Sequence, residues 1–113
     1  MPATALDLTI EQGATFSQAI ALGAGTWDGQ VVTAQIRSAF GGQLLATFTG
    51  VIASGTLTLS LTATQTAAIQ APAHARADER EIVIGYYDAE SVNAGVITRH
   101  RQGKVTLSRE VST

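Results

Sequence analysis

The sequence predicts an all-β fold: an antiparallel β-sandwich of about seven strands with one short helical crossover. Short runs in which apolar and polar residues alternate recur along the chain, separated by clusters of Gly, Asn, Asp and Ser. Helix signals occur in one stretch only. The length of 113 residues supports one hydrophobic core, so residues 1–113 read as a single domain.

Leu6, Leu8 and Ile10 alternate with Asp7, Thr9 and Glu11, and Gln12-Gly13 turns the chain. Phe16, Ile20 and Leu22 continue the alternation, so residues 5–11 and 14–22 read as a first hairpin or a bent pair of strands. After the break at Gly23-Ala24-Gly25, Trp27-Asp28-Gly29 carries a turn signal behind an aromatic. Val32, Ala34 and Ile36 then alternate with Thr33, Gln35 and Arg37. Gly41-Gly42 separates that strand from Leu44, Ala46 and Phe48, and Ser54-Gly55 makes a further turn. Leu57, Leu59 and Leu61 alternating with Thr56, Thr58 and Ser60 form the cleanest period-two signal in the chain.

The helical stretch is residues 62–69, where Thr62 and Gln65 stand at capping-box spacing and Ala71-Pro72 ends the run. Residues 71–80 read as an exposed charged loop. Next comes 81–88, with Ile82, Ile84 and Tyr86 in one phase and Val83 and Tyr87 in the other, the pattern of a strand in the middle of a core. Ala89 to Gly95 reads as a turn, and Val96 to Val111 folds back as a strand with one buried face. Two sheets of about seven such strands make an immunoglobulin-like sandwich, with a closed five- or six-stranded barrel as the competing architecture.

Only 14% of the residues are Asp, Glu, Lys or Arg, against roughly 25% in ordinary soluble domains. Two readings fit: a surface covered by partners in a permanent assembly, or a base composition that favours Ala, Gly and Thr codons. A net charge of −2 argues against nucleic acid as a partner. There is no cysteine, hence no disulfide framework and no thiolate metal site. The N-terminal residues do not form a secretory signal and no apolar run spans a membrane, which predicts a soluble protein made in the cytoplasm.

Neither His74 nor His100 has a second His or a Cys at ligand spacing. No nucleophile elbow, phosphate loop or dinucleotide fingerprint occurs, so the sequence predicts no enzyme, no metal and no cofactor. Arg99, Arg101 and Lys104 form a basic group that could dock an acidic patch on a neighbour or merely guard a strand edge. Trp27 and Phe40 stand beside turns, either as interface anchors or as caps on the core.

Three pieces of the chain resemble one family. They are Leu6-Asp7-Leu8-Thr9-Ile10-Glu11-Gln12-Gly13-Ala14-Thr15-Phe16, then Val32 to Arg37 with Gly55 to Thr62, and finally Gly85-Tyr86-Tyr87-Asp88 with Gly103 to Ser112. They are similar to small tailed-phage virion proteins like the N-terminal domain of the upper baseplate protein that carries receptor-binding proteins in siphophages. His100-Arg101-Gln102 and Trp27-Asp28-Gly29 depart from that family's usual apolar pair and Leu-Thr-Gly turn. The resemblance implies an immunoglobulin-like domain without catalytic residues, located in the virion. Its role would be a tail or baseplate adaptor joining fibres or receptor-binding proteins to the tail. Its partners would be other virion proteins, and it would be a homo-oligomer, a trimer or symmetry-imposed ring. A capsid cement protein clamping capsomers is the alternative. A carbohydrate-binding sandwich, stacking sugars on Trp27, Phe40, Tyr86 or Tyr87, is a further one.

Overall fold

The computed structural model describes residues 4–22, 27–38, 42–69 and 80–109. In chain order the strands are β1 (Thr4–Ala5), β2 (Leu8–Glu11), β3 (Phe16–Ala21), β4 (Val31–Ser38), β5 (Leu44–Thr47), β6 (Thr49–Ala53) and β7 (Thr56–Leu61). Helix α1 (Ala63–Ala68) follows, then β8 (Glu81–Asn93) and β9 (Val96–Ser108). The front sheet is ordered β1-β9-β8-β4-β5, with β2 also paired to β9. The back sheet is β3-β7-β6. This is an immunoglobulin-like sandwich, with β4, β8, β9 and β5 in the places of strands C, F, G and C′ and β3, β7 and β6 in those of B, E and D.

The interior follows from the alternation. Leu57, Leu59 and Leu61 on β7 are buried, and facing them are Ala34 and Ile36 of β4, Ile84, Tyr87 and Ala89 of β8, and Val105 and Leu107 of β9. Phe48 is 5% exposed and stands where the chain leaves the front sheet for the back one. Its ring lies 5.6 Å from that of Phe16 and 6.1 Å from that of Tyr87. The thirteen-residue strands β8 and β9, each roughly 43 Å long if fully extended, set the 46 Å long axis of the molecule.

The capping box forms as the Thr62/Gln65 spacing predicts. The Gln65 amide donates to Thr62 Oγ1 at 3.1 Å and the Thr62 amide to Gln65 Oε1 at 2.8 Å. So short a helix has little stability of its own. Side chains pin it to the corner between β2 and β3: fully buried Thr66 accepts from the Gly13 amide at 3.0 Å and donates to Ala14 O at 2.8 Å, while Gln12 Nε2 donates to Ile69 O at 2.8 Å.

Four expectations are corrected. Residues 5–11 and 14–22 do not form a hairpin: β2 runs parallel to β9, and β3 pairs with β7 in the other sheet. Alternation gave both segments strand character but could not tell which strand either joins. The turn expected over Ala89 to Gly95 shrinks to Ala94-Gly95, because Ala89 and Ser91 stay in the inward phase of β8. β8 is central in its sheet but open on its outer side, where Val83 is 40% and Tyr86 54% exposed. A separate strand, β6, also forms after Phe48.

Candidate functional site

Two irregularities in the long hairpin decide which side chains reach its outer face. The register between β8 and β9 shifts between Val83 and Gly85, so Ile84 and Tyr87 both point inward while Tyr86 turns out. Gly85 permits this: a Cβ there would fall on the carbonyl of Arg37 in the adjoining strand. A second shift pairs Ala89 with Arg101 but Glu90 with Arg99, which leaves His100 as the extra residue, turned into the core and 7% exposed.

Beyond these bulges the outer face of β4, β8 and β9 is laid out in four cross-strand rows. Arg37, Tyr86 and Lys104 form the first, and Gln35, Asp88 and Gln102 the second. Thr33, Glu90 and Arg99 make the third, and Val31, Val92 and Ile97 the fourth. The face therefore grades from cations around a tyrosine, through amides and carboxylates, to an apolar end. A groove of about 500 Å³ runs over the upper rows, lined by Thr33, Gln35, Arg37, Tyr86, Asp88 and Gln102 among others.

The charges are unevenly matched. Arg99 Nη2 lies 3.6 Å from Asp88 Oδ2 and 3.9 Å from Glu90 Oε2. These contacts are loose and exposed, and are worth under about 1 kcal/mol each. Arg37 donates to Gln35 Oε1 at 3.1 Å and to Gly42 O at 3.4 Å, with no carboxylate beside it among the described residues. The Lys104 ammonium and the Tyr86 hydroxyl have no partner among the described residues.

The residues singled out in the sequence fall in different places. Arg99 and Lys104 share the outer face, two rows apart, whereas Arg101 turns away to donate to His100 O at 2.8 Å and to Ala21 O of the back sheet at 3.2 Å. Trp27 is half-buried against the core, edge-on to His100 with ring centroids 4.8 Å apart. Phe40 and His74 lie outside the described residues. Arg37 and Glu90 were missed as site residues, although Thr33, Gln35 and Arg37 were legible as the outward phase of β4. The outward phase of β8 was hidden by its bulges.

His100 and Ser91 form a buried pair, with Ser91 Oγ 2.7 Å from His100 Nε2. The hydroxyl donates to Gln30 Oε1, also at 2.7 Å. With the serine proton committed to Gln30, Nε2 carries the ring proton and donates to the serine. That is the reverse of a histidine activating a nucleophile. Burial, and then the neighbouring Arg101 charge, push the His100 pKa below its ordinary value. Tyr87 is buried with its hydroxyl donating to Leu6 O at 2.6 Å. Its pKa is pushed up to about 12, chiefly by burial. Among the described residues no group of three or more His, Cys, Asp or Glu side chains could hold a metal ion, and no helix is long and apolar enough to cross a membrane.

No family model matches the chain, and no curated protein matches it. Among solved structures, a mutant extracellular fragment of novel immune-type receptor 11 is similar over 97% of this chain and 99% of that chain, at 12% sequence identity and a TM-score of 0.45.

Proposed function

We propose that this chain is a non-enzymatic structural protein of a tailed-phage virion, an adaptor in the tail or baseplate that joins fibres or receptor-binding proteins to the tail. The observation that carries the reading is the uncovered apolar end of the front sheet. Val31 and Ile97 are 69% and 64% exposed and flank Val92 in one row. Contiguous exposed aliphatic side chains of this kind mark protein contact surfaces. The resemblance of the strand segments to baseplate proteins supplies the kind of partner, another virion subunit. Residues committed to packing, such as Ser91 and His100, supply no reactive group.

A cryo-EM map of the particle tests the reading. Density for this sandwich at the tail tip, with its β8–β9 end against a neighbouring subunit, is the expected result. Ile97→Glu should leave the isolated domain folded and remove it from assembled particles. Density on the capsid between capsomers would favour the cement alternative, and particles without this chain would end the virion reading.

A further inference from the structure

We propose that the groove on the outer face of the front sheet binds an anionic oligosaccharide, with one carboxylated or sulfated pyranose stacked on Tyr86. A pyranose presents a flat face of C–H groups and a rim of hydroxyls. A site for it needs an exposed aromatic face at one end and hydrogen-bonding groups in the plane beyond. Tyr86, 54% exposed, is the aromatic ring. The groove beside it, about 500 Å³, lies within the roughly 300–1,000 Å³ of small-ligand sites.

Its lining matches the rim. Gln35 and Gln102 stand on either side of Asp88 in the row next to Tyr86, and Thr33 and Glu90 follow one row further on. The amide oxygens of Gln35 and Gln102 accept from Arg37 and Arg99, at 3.1 and 3.5 Å. Their NH2 groups have no partner among the described residues and point to hydroxyl acceptors on a ligand. Asp88 and Glu90, held only loosely by Arg99, can accept from hydroxyl donors.

The sign of the ligand comes from the first row. Arg37 and Lys104 flank Tyr86 on the two neighbouring strands, with no carboxylate paired to either among the described residues. An acid group on the stacked ring would sit between them, where Arg37 offers a planar fork and Lys104 a mobile point charge. Of the other aromatic residues named for stacking, Tyr87 is buried with its hydroxyl on Leu6, Trp27 is packed on His100, and Phe40 lies outside the described residues. This inference does not rest on the virion reading, since it concerns a different part of the face from the apolar end.

The test is a titration of isotopically labelled protein, followed by amide NMR, with three tetrasaccharides: oligogalacturonate, sulfated chondroitin and neutral maltotetraose. Shifts confined to β4, β8 and β9, with at least one anionic probe bound roughly tenfold or more tighter than the neutral one, are expected. A carboxylate source is indicated if oligogalacturonate leads, and a sulfate source if chondroitin leads and loses that lead on desulfation, since its uronates also carry carboxylates. Tyr86→Phe should retain binding, Tyr86→Ala should weaken it roughly tenfold or more, and Arg37→Gln with Lys104→Gln should abolish the preference for charge. All three changes are at exposed positions, so the amide spectrum of each variant checks its fold directly. No shifts with any probe at about 10 mM (an affinity weaker than roughly 3 kcal/mol) would overturn the proposal. So would equal binding of the neutral probe, or binding indifferent to Tyr86→Ala.

Discussion

The two outer faces of this sandwich are built on the same pleat and have little else in common. On the back sheet the outward positions are Ser17, Ala19 and Ala21 of β3, Thr49, Val51 and Ala53 of β6, and Thr56, Thr58 and Ser60 of β7. None of them is ionisable. On the front sheet Arg37, Asp88, Glu90, Arg99 and Lys104 all point outward, together with an open tyrosine. The low charge content is thus concentrated by face, whereas a base-composition bias alone would thin charges on both. A back face of small neutral residues is flat and shows a ligand little relief. The front face has the groove, the cations and the apolar end, and both proposals draw on it.

The largest effect available should come from crossing the line between inner and outer phase. Leu59 is fully buried on β7, and Thr58 beside it points out. Leu59→Asp places an unpaired carboxylate in the core, at a cost of several kcal/mol, and should abolish the cooperative thermal transition. Thr58→Asp should leave stability within about 0.5 kcal/mol. Similar midpoints for the two variants in differential scanning fluorimetry would refute the register and, with it, the description of the back face as neutral.

On the front sheet the same contrast is drawn by adjacent tyrosines. Tyr87→Phe strands the carbonyl of Leu6, which the hydroxyl now satisfies at 2.6 Å, and should cost about 1–2 kcal/mol. The segment around β1 should show the greatest gain in hydrogen exchange. Tyr86→Phe removes a hydroxyl with no partner among the described residues and should not move the midpoint. Because the folded state holds the Tyr87 phenol protonated up to about 12, the stability this gives is complete below the unfolded value of about 10 and is lost as pH rises toward 12. Tyr87→Phe should lack that alkaline loss.

These contrasts also mark what could be read from the residues alone. The leucine alternation of β7, the capping box and the inward set Val32, Ala34 and Ile36 were legible because each rests on local spacing. The parallel docking of β2 on β9 was not, since period two says which face is buried and nothing about the neighbour. The groove was half legible: the outward phase of β4 could be counted, whereas the two bulges on the hairpin shift the phase without any sequence mark stronger than Gly85. The same shift makes His100, flanked by two arginines in the sequence, a core residue.

That buried histidine sets a smaller, pH-dependent effect. His100 is held neutral by burial and by Arg101, with Ser91 and Trp27 packed against the ring. Its folded pKa lies below the unfolded value of about 6.5. The unfolded chain therefore takes up the proton first. Stability is complete above about pH 7 and falls as the pH drops below 6.5, by at most about 1.4 kcal/mol per pH unit. His100→Gln keeps a donor toward Ser91 and should be less stable at pH 7 yet nearly flat between pH 7 and 5, where carboxylates still contribute little. A parallel decline in both proteins would place the titrating group elsewhere.

The smallest effect separates the hairpin turns that close the two sheets. In both, the two central residues have positive φ, the type I′ combination: 52° and 72° at Ser54-Gly55, and 51° and 82° at Ala94-Gly95. The back turn is braced, since Asp28 accepts from the amides of Ser54 and Gly55 at 3.0 and 2.9 Å. For the front turn no such brace is present among the described residues, and it places alanine in a left-handed conformation that costs an L-residue roughly 1–2 kcal/mol. Asparagine tolerates that conformation better, so Ala94→Asn should raise stability by about 0.5 kcal/mol. Ala94→Gly should gain less, because glycine adds freedom to the unfolded chain. On the braced turn Ser54→Asn should be closer to neutral, and Asp28→Ala should cost about 1 kcal/mol. A larger gain from Ser54→Asn than from Ala94→Asn would mean that the unbraced front turn, beside the exposed apolar end, is not the strained one.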